Sequence, residues 1–441
     1  MPSPDAWWWL LRKEWRELMT SRSFWVMLVL MGPLVGVSFI NAVRAYAEAS
    51  GKGGPGAGLA DALFPLDGIV APTFSAYEIA ASFLLPLVAI RAVGGDRISG
   101  ALKLELQQGM PPLSMIGTKA LVLGAGWLLA GVPIALACIL WVSYGGSLYG
   151  PEVVSLAVGH LLNAGLVIAV AAAAAALAEN PSTAAILVLA FTVGTWVLGF
   201  VAAFQGGLWE QIVRYTPSEM LQTFRRGLVR LDLMLAMLAL IAAALVMAAS
   251  WMRLGVPVRH RALDSIYIIA VALVLGFGAS FAHRSWDISE NARNSFDEAE
   301  GELLEKIVAP LKIEVHLAPE DPRRFDLEQQ TLTKLRRTVH SLTVEYVSAT
   351  ATGLFEQADA HYGEIWYDLG GKRTVGRSAT TDGVLDAIYE LAGVQPPQES
   401  EVGHRGHPLA AEPTGAAPVF YVIWPLAVFG LGFFLHRRRL T

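Results

Sequence analysis

The stretch GGDRISGALKLELQQGMPPLSMIGTK, residues 94–119, decides how the rest of the chain is laid out. It is polar and charged, and an apolar run lies on each side of it. It begins with an acidic-basic pair (Asp96, Arg97) and a small-residue turn (Ser99, Gly100). An amphipathic stretch carrying Lys103 and Glu105 follows, then a proline pair (Pro111, Pro112) and finally Lys119 at the foot of the next apolar run. A soluble partner pressing on such a segment would move the helices at both of its ends.

Of 441 residues, 54% are hydrophobic and only 16% charged, against about a quarter charged in a soluble domain. With several long apolar runs, this reads as a polytopic membrane protein. A net charge of −5 gives nothing that suggests a nucleic-acid partner. The single cysteine, Cys138, lies in an apolar run; it cannot form an intrachain disulfide and reads as packing. No cleavable signal is expected, because Arg12, Lys13, Glu14, Arg16 and Glu17 interrupt the apolar Trp7–Leu11 at once.

Before the central stretch, residues 5–22 predict an interfacial helix. Trp7, Trp8, Leu11, Trp15 and Leu18 share one face against Arg12, Lys13, Arg16 and Arg22. A first span is predicted at Phe24–Val43, kinked at Gly32-Pro33. An external Gly/Ala/Pro-rich loop follows at Ala45–Thr73, then a second span at Tyr77–Val93. After the central stretch come spans at Ile116–Val142, Val153–Leu177 and Thr183–Phe204, the last opened by the turn Glu179-Asn180-Pro181-Ser182. Gly206–Arg230 mixes aromatics with charge and predicts one or two short helices at the outer interface. A sixth span is predicted at Leu231–Met252 and a seventh at Leu263–Ala282.

Composition then changes. Residues 283–417 predict an α/β module followed by a tether. Strands are expected at Lys312–Leu317, Leu342–Val347 and Glu364–Leu369, and helices at Leu327–Leu342 and Asp382–Leu391, the latter ending at Gly393. Ser295 and Glu298 fit a helix-capping pair. An eighth span at Val419–Leu435 ends in His436-Arg437-Arg438-Arg439.

Basic residues set the orientation. With the N-terminus inside, the short inside segments hold fourteen: Arg12, Lys13, Arg16, Arg22, Arg91, Arg97, Lys103, Lys119, Arg253, Arg259, Arg261 and Arg437 to Arg439. The short outside loops hold six: Arg44, Lys52, Arg214, Arg225, Arg226 and Arg230. Reading 206–230 as a span would invert everything after it, but Glu210, Arg214, Glu219, Arg225 and Arg226 are too costly in lipid. Both termini and the 94–119 stretch are therefore expected on the cytoplasmic side.

The sequence carries no G-x-x-x-x-G-K-[ST], H-E-x-x-H, C-x-x-C or G-x-S-x-G. The chain is not expected to be an enzyme, and energy for active work must come from a partner or an ion gradient. His160 and Asn163, three apart on the fourth span, are the deepest polar pair; they suit interhelical hydrogen bonding or a proton or substrate relay. His361, His404 and His407 are poorly disposed for a metal, and none is expected.

Three features together resemble the permease subunit of an ABC-2 type ABC transporter. They are the elbow K-E-W-R-E-L-M-T-S-R-S-F-W (13–25), the G-D-R-I-S-G segment with its proline turn and lysine (95–119), and the short helical piece Gly206–Arg230. The family pattern covers about 1–255, although Asp96 stands where Glu is common and Ala101 where Thr is usual. The remainder resembles the extracytoplasmic component of gliding-motility-type ABC systems. That likeness rests on S-W-D-I-S-E-N (285–291), K-I-E-V-H-L (312–317), E-I-W-Y-D-L-G-G-K-R-T (364–374) and G-H-P-L (406–409).

The resemblance implies a membrane all-α fold: a six-span ABC-2 permease core plus two further spans, with an inserted extracytoplasmic α/β domain. The divisions are an elbow helix at 1–22, the permease domain at 23–255, the seventh span at 263–282, the module and tether at 283–417, and the eighth span with its basic tail at 418–441. It implies a multi-pass protein of the bacterial inner membrane, both termini cytoplasmic and the module periplasmic. Expected partners are a cytoplasmic ABC ATPase subunit, which would hold ATP and Mg, a second permease copy or paralogue, membrane lipid and a periplasmic partner; the chain itself would hold no cofactor. Asp96, Arg97, Ser99, Gly100, Lys103 and Glu105 would couple to the ATPase. Arg12, Lys13, Glu14 and Arg16 of the elbow would dock on it or anchor in lipid headgroups. The transported substrate is left open, with export more typical than import. The rival functions are a membrane-anchored scaffold presenting a periplasmic recognition module and an ion-gradient-driven transporter.

Overall fold

The structure, a computed structural model, describes residues 4–51, 63–107, 109–205, 208–282, 284–307, 309–318, 321–339, 341–347, 361–397 and 406–437. His404, Lys52, Arg438, Arg439, and parts of the predicted 45–73 loop and of the tether within 283–417 lie outside them. Eight helices among the described residues are long and apolar enough to cross a membrane, which makes this a multi-pass membrane protein. The chain forms two compact units: Met1–Ala202 with Gly207–Ile288 and Arg405–Thr441, and Ser289–His404 with Ala203–Gly206.

The first unit opens with α1 (Pro4–Thr20) and α2 (Arg22–Gly51). Helix α2 runs unbroken through Pro33 and past the predicted end at Val43, so the first part of the expected loop is helix. Tyr46 holds that extension: it is buried, its ring meets Trp141 edge-on at 5.3 Å, and its hydroxyl donates to the carbonyls of Leu63 and His407. The second span also starts earlier than its hydropathy suggests. A π-helical turn, Leu66–Val70, runs into Ala71–Ser99; together these form α3. Alanine-rich sequence favours helix as readily as it marks a loop, and here packing decides for helix.

Gly100, at φ 80°, ends α3 in the left-handed region that favours glycine. Helix α4 (Ala101–Gln107) follows. Pro112 then opens α5 (Pro112–Ala130) at a position where the missing N–H costs nothing. Helix α6 (Val132–Ser143) completes the third span, followed by α7 (Gly150–Leu177) and α8 (Pro181–Gln205). The expected short helices are α9 (Leu208–Val213) and α10 (Pro217–Arg225). Phe224 of α10 lies against Gly159 of α7 so closely that a Cβ there would come 2.6 Å from its ring.

Strand β1 (Leu228–Arg230), helices α11 (Leu231–Trp251) and α12 (Val258–Ala279), and strand β2 (Ser285–Asp287) follow. The antiparallel β1–β2 pair was not expected from the sequence. It joins two segments separated by two spans, so both must lie on one side of the membrane. The last helix of this unit, α16, runs as Ala416–Pro418, Val419–Ile423 and Trp424–Arg437. It packs on the first span. Phe420 and Trp424 fill the space left by Gly32 and Gly36, and Trp424 Nε1 donates to the Leu28 carbonyl at 2.7 Å. Close helix approach through small residues is the common membrane solution.

The second unit carries a four-stranded sheet in the order β4-β3-β5-β6: Leu342–Tyr346, Leu311–Val315, Ile365–Leu369 and Lys372–Gly376. β3 and β4 are parallel, and the other pairs are antiparallel. Gly370 and Gly371, both at positive φ, make the β5–β6 hairpin turn. Leu311, Ile313, Val315, Ile365, Tyr367 and Leu369 alternate onto one face. That face is covered by α13 (Glu298–Glu305), the helical stretch α14 (322–338) and α15 (Thr381–Ala392). Asp297, not Ser295, occupies the N-cap position of α13, so the expected capping pair with Glu298 does not form.

Candidate functional site

Four elements bring charge together at one end of the first unit. Helix α1 contributes Lys13, Glu14 and Glu17, the end of α3 contributes Asp96, α4 contributes Glu105, and the start of α5 contributes Lys119. Lys119 is 2% exposed, and its Nζ lies 2.6 Å from Glu14 Oε2 and 2.6 Å from Asp96 Oδ2. Lys13 Nζ donates to Glu105 Oε1, and lies 3.2 Å from Glu14 Oε1, 3.4 Å from Glu17 Oε1 and 3.8 Å from Asp96 Oδ2. Glu14, Asp96 and Glu105 are all buried. The cluster therefore sets three buried carboxylates against two ammonium groups, with Glu17 at its rim.

The electrostatics follow from that balance. Desolvation works against the charge on Lys13. The hydrogen bond to Glu105 and the fields of Glu14, Asp96 and Glu105 outweigh it, holding the ammonium above its ordinary pKa. Burial, then the charge of Glu14, pushes the Glu17 carboxyl above the usual range despite Lys13 nearby. The oxygens of Glu14, Asp96 and Glu105 lie within 4.8 Å of one another. Lysine Nζ atoms already stand among them as counter-charges, so the arrangement fits an ion-pair lock rather than a divalent cation.

Asp96 and Glu105, expected on an outward face, are thus turned into the chain and bonded to its own lysines. Lys103, Ser99, Arg12 and Arg16 remain exposed. Arg97 is exposed too, but its Nη1 donates to the carbonyls of Ala176 and Ala178 at the end of α7. Lys119 is the member that sequence reading underweighted. Its signal was present: a lone ammonium at the entry of an apolar run needs a carboxylate partner.

At the other end of the unit, Arg225 Nη2 donates to Glu78 Oε2 at 2.7 Å and to Ser75 Oγ at 2.9 Å, tying α10 to α3. His160, 1% exposed on α7, packs beside the rings of Phe74 at 4.9 Å and Tyr77 at 5.9 Å. Neither ring nitrogen has a hydrogen-bond partner among the described residues. His160 therefore makes no bonded chain with Asn163, although the two share a buried face. Replacing His160 by Leu should raise stability by about 1–3 kcal/mol, the cost of a buried polar group left unpaired. Thermal unfolding of the purified protein in detergent reads this directly; a lower midpoint would mean that the ring holds a bound group. His407 and His361 fall in separate units, with His361 Nδ1 against Glu364 at 3.0 Å.

Compared with known protein families, curated proteins and solved structures, the chain matches none.

Proposed function

We propose that the chain is the membrane-spanning permease subunit of an ABC-2 type ABC transporter. A separate cytoplasmic ATPase, holding ATP and Mg, supplies the energy, and a second permease copy or paralogue completes the path. The observation that carries this reading is the buried ion cluster. It ties the amphipathic elbow α1 to the 94–119 segment and to the feet of the second and third spans at once. A displacement of α1 or α4 is then transmitted to α3 and α5 as one body, because separating them exposes unpaired buried charge at a cost of about 3–5 kcal/mol.

On this reading the cluster faces the cytoplasm of a bacterial inner membrane, the 289–404 unit lies outside, and substrate moves outward. The absence of any P-loop sequence assigns hydrolysis to the partner. The contact surface is the exposed side of α4 and its approach, Ser99 and Lys103, with Arg12 and Arg16 beside it.

The test is co-expression with the ATPase encoded beside the gene and measurement of ATP hydrolysis in proteoliposomes. The chain should stimulate hydrolysis. Lys103→Glu, which leaves the buried cluster untouched, should reduce coupling about tenfold, as expected for 1.4 kcal/mol at a charged contact. Failure of the two proteins to associate, or full coupling in Lys103→Glu, would sink the reading.

A further inference from the structure

A cavity of about 260 Å³ opens where the end of α3 meets the α7–α8 turn, lined by Ile90, Gly94, Arg97, Ala175, Glu179 and Asn180 among others. Its volume is below the roughly 300–1,000 Å³ of drug-sized sites, so it suits a headgroup-sized ligand. The polarity is graded. Ile90 and Ala175 are buried, and Ile90 lies seven residues, about 10 Å, further along α3 into the apolar body than Arg97. Arg97, Glu179 and Asn180 stand at the exposed mouth.

The two charges at the mouth are opposite, yet they are not paired with each other. Arg97 spends Nη1 on the carbonyls of Ala176 and Ala178, and its Nε and Nη2 bond nothing among the described residues. Glu179 has no ion-pair partner among the described residues. A ligand with an anionic and a cationic group a few bonds apart would satisfy both at once. An apolar wall beneath a charged mouth, at the end of two spans, is the profile of a lipid at the membrane interface. We infer that this cavity binds the headgroup of a zwitterionic amino-phospholipid, with the phosphate diester on Arg97, the ammonium on Glu179 and the glycerol end against Ile90 and Ala175. The inference rests on the membrane character of the chain, not on its proposed role as a permease.

Gly94 supplies a test that leaves both charges in place. Among the described residues, a Cβ at Gly94 meets nothing within 4 Å, and Leu is a better helix former than Gly. Gly94→Leu should therefore fold and fill the cavity. The delipidated full chain is titrated with short-chain phosphatidylethanolamine or phosphatidylglycerol, and bound lipid is counted by native mass spectrometry.

The wild type should retain one phosphatidylethanolamine in preference to phosphatidylglycerol, and Gly94→Leu should lose that retained lipid. Glu179→Gln should cut the preference about two- to fivefold, the value of one exposed ion pair. Size-exclusion behaviour and helical circular dichroism check that the variants fold. Equal retention of the two lipids by the wild type, or undiminished binding in Gly94→Leu, overturns the inference. Free phosphoethanolamine that displaces the lipid at the lipid's own concentration would identify a soluble phosphoamine as the ligand and overturn the lipid assignment.

Discussion

Replacing Lys119 by Met should destabilise the protein by about 3–5 kcal/mol, the range for removing one partner of a buried ion pair. Methionine matches the length and most of the volume of lysine, so packing survives and the loss is electrostatic. Glu14 and Asp96 each lose a contact of 2.6 Å. Among the described residues, the ammonium left beside them is Lys13, at 3.2 Å and 3.8 Å and already bonded to Glu105. Two buried carboxylates then share one cation that is further from both. The double variant Lys119→Met with Glu14→Gln returns the cluster to one carboxylate in excess, as in the wild type, and should recover part of the loss. That non-additivity is the signature of groups acting as a unit. Unfolding midpoints in detergent, with the single Glu14→Gln variant closing the cycle, give the coupling directly. Strict additivity would mean that the cluster is a set of separate surface-like contacts.

The second large effect is expected at Gly32. Its Cβ position lies 2.8 Å from the Phe420 backbone oxygen and against the Trp424 ring. A side chain tip can rotate away, but a carbonyl oxygen inside a helix cannot. Gly32→Leu should thus cost about 3 kcal/mol, the upper part of the range for overpacking, and should lift α16 off α2. Adding Trp424→Ala makes room and should restore part of the loss. Gly430→Leu on α16 is the control, because nothing among the described residues lies within 4 Å of its Cβ position; it should shift stability by less than about 0.5 kcal/mol. Limited proteolysis of the segment before α16 reports the detachment. If Gly32→Leu and Gly430→Leu behave alike, the α2–α16 contact contributes nothing.

Much of the fold was legible from the residues. Apolar runs located all eight spans, Trp7 to Leu18 marked the amphipathic first helix, and Ser99-Gly100 and Pro111-Pro112 marked real boundaries. Partners were not legible. Periodicity reports which face of a helix is apolar but not what covers it. Lys119 meets Glu14 at a separation of 105 residues, Arg225 meets Glu78 at 147, and Tyr46 meets His407 at 361. The same limit explains the extended ends of α2 and α3, which are held by packing around Tyr46 rather than by hydropathy. It also explains β6: no strand was expected at Lys372–Gly376, and only its pairing with β5 makes it an edge strand. For the site, the acidic and basic residues were identified individually. Their burial was missed, because Asp96 and Glu105 look like surface charge until the lysines opposite them are known.

The seat on α2 for α16 has a consequence in time. Trp424 reaches the Leu28 carbonyl across 396 residues of chain. At a synthesis rate of about 5–20 residues per second, Gly32 and Gly36 wait roughly 20–80 s for the residues that cover them. During that interval the notch on the first span is open to any small-faced helix in the same bilayer. The nascent protein therefore passes through a stage in which its first span is available to the wrong neighbour. Arrival of Phe420 and Trp424 ends that stage, so a ribosome stalled before residue 420 leaves a product whose notch stays unfilled.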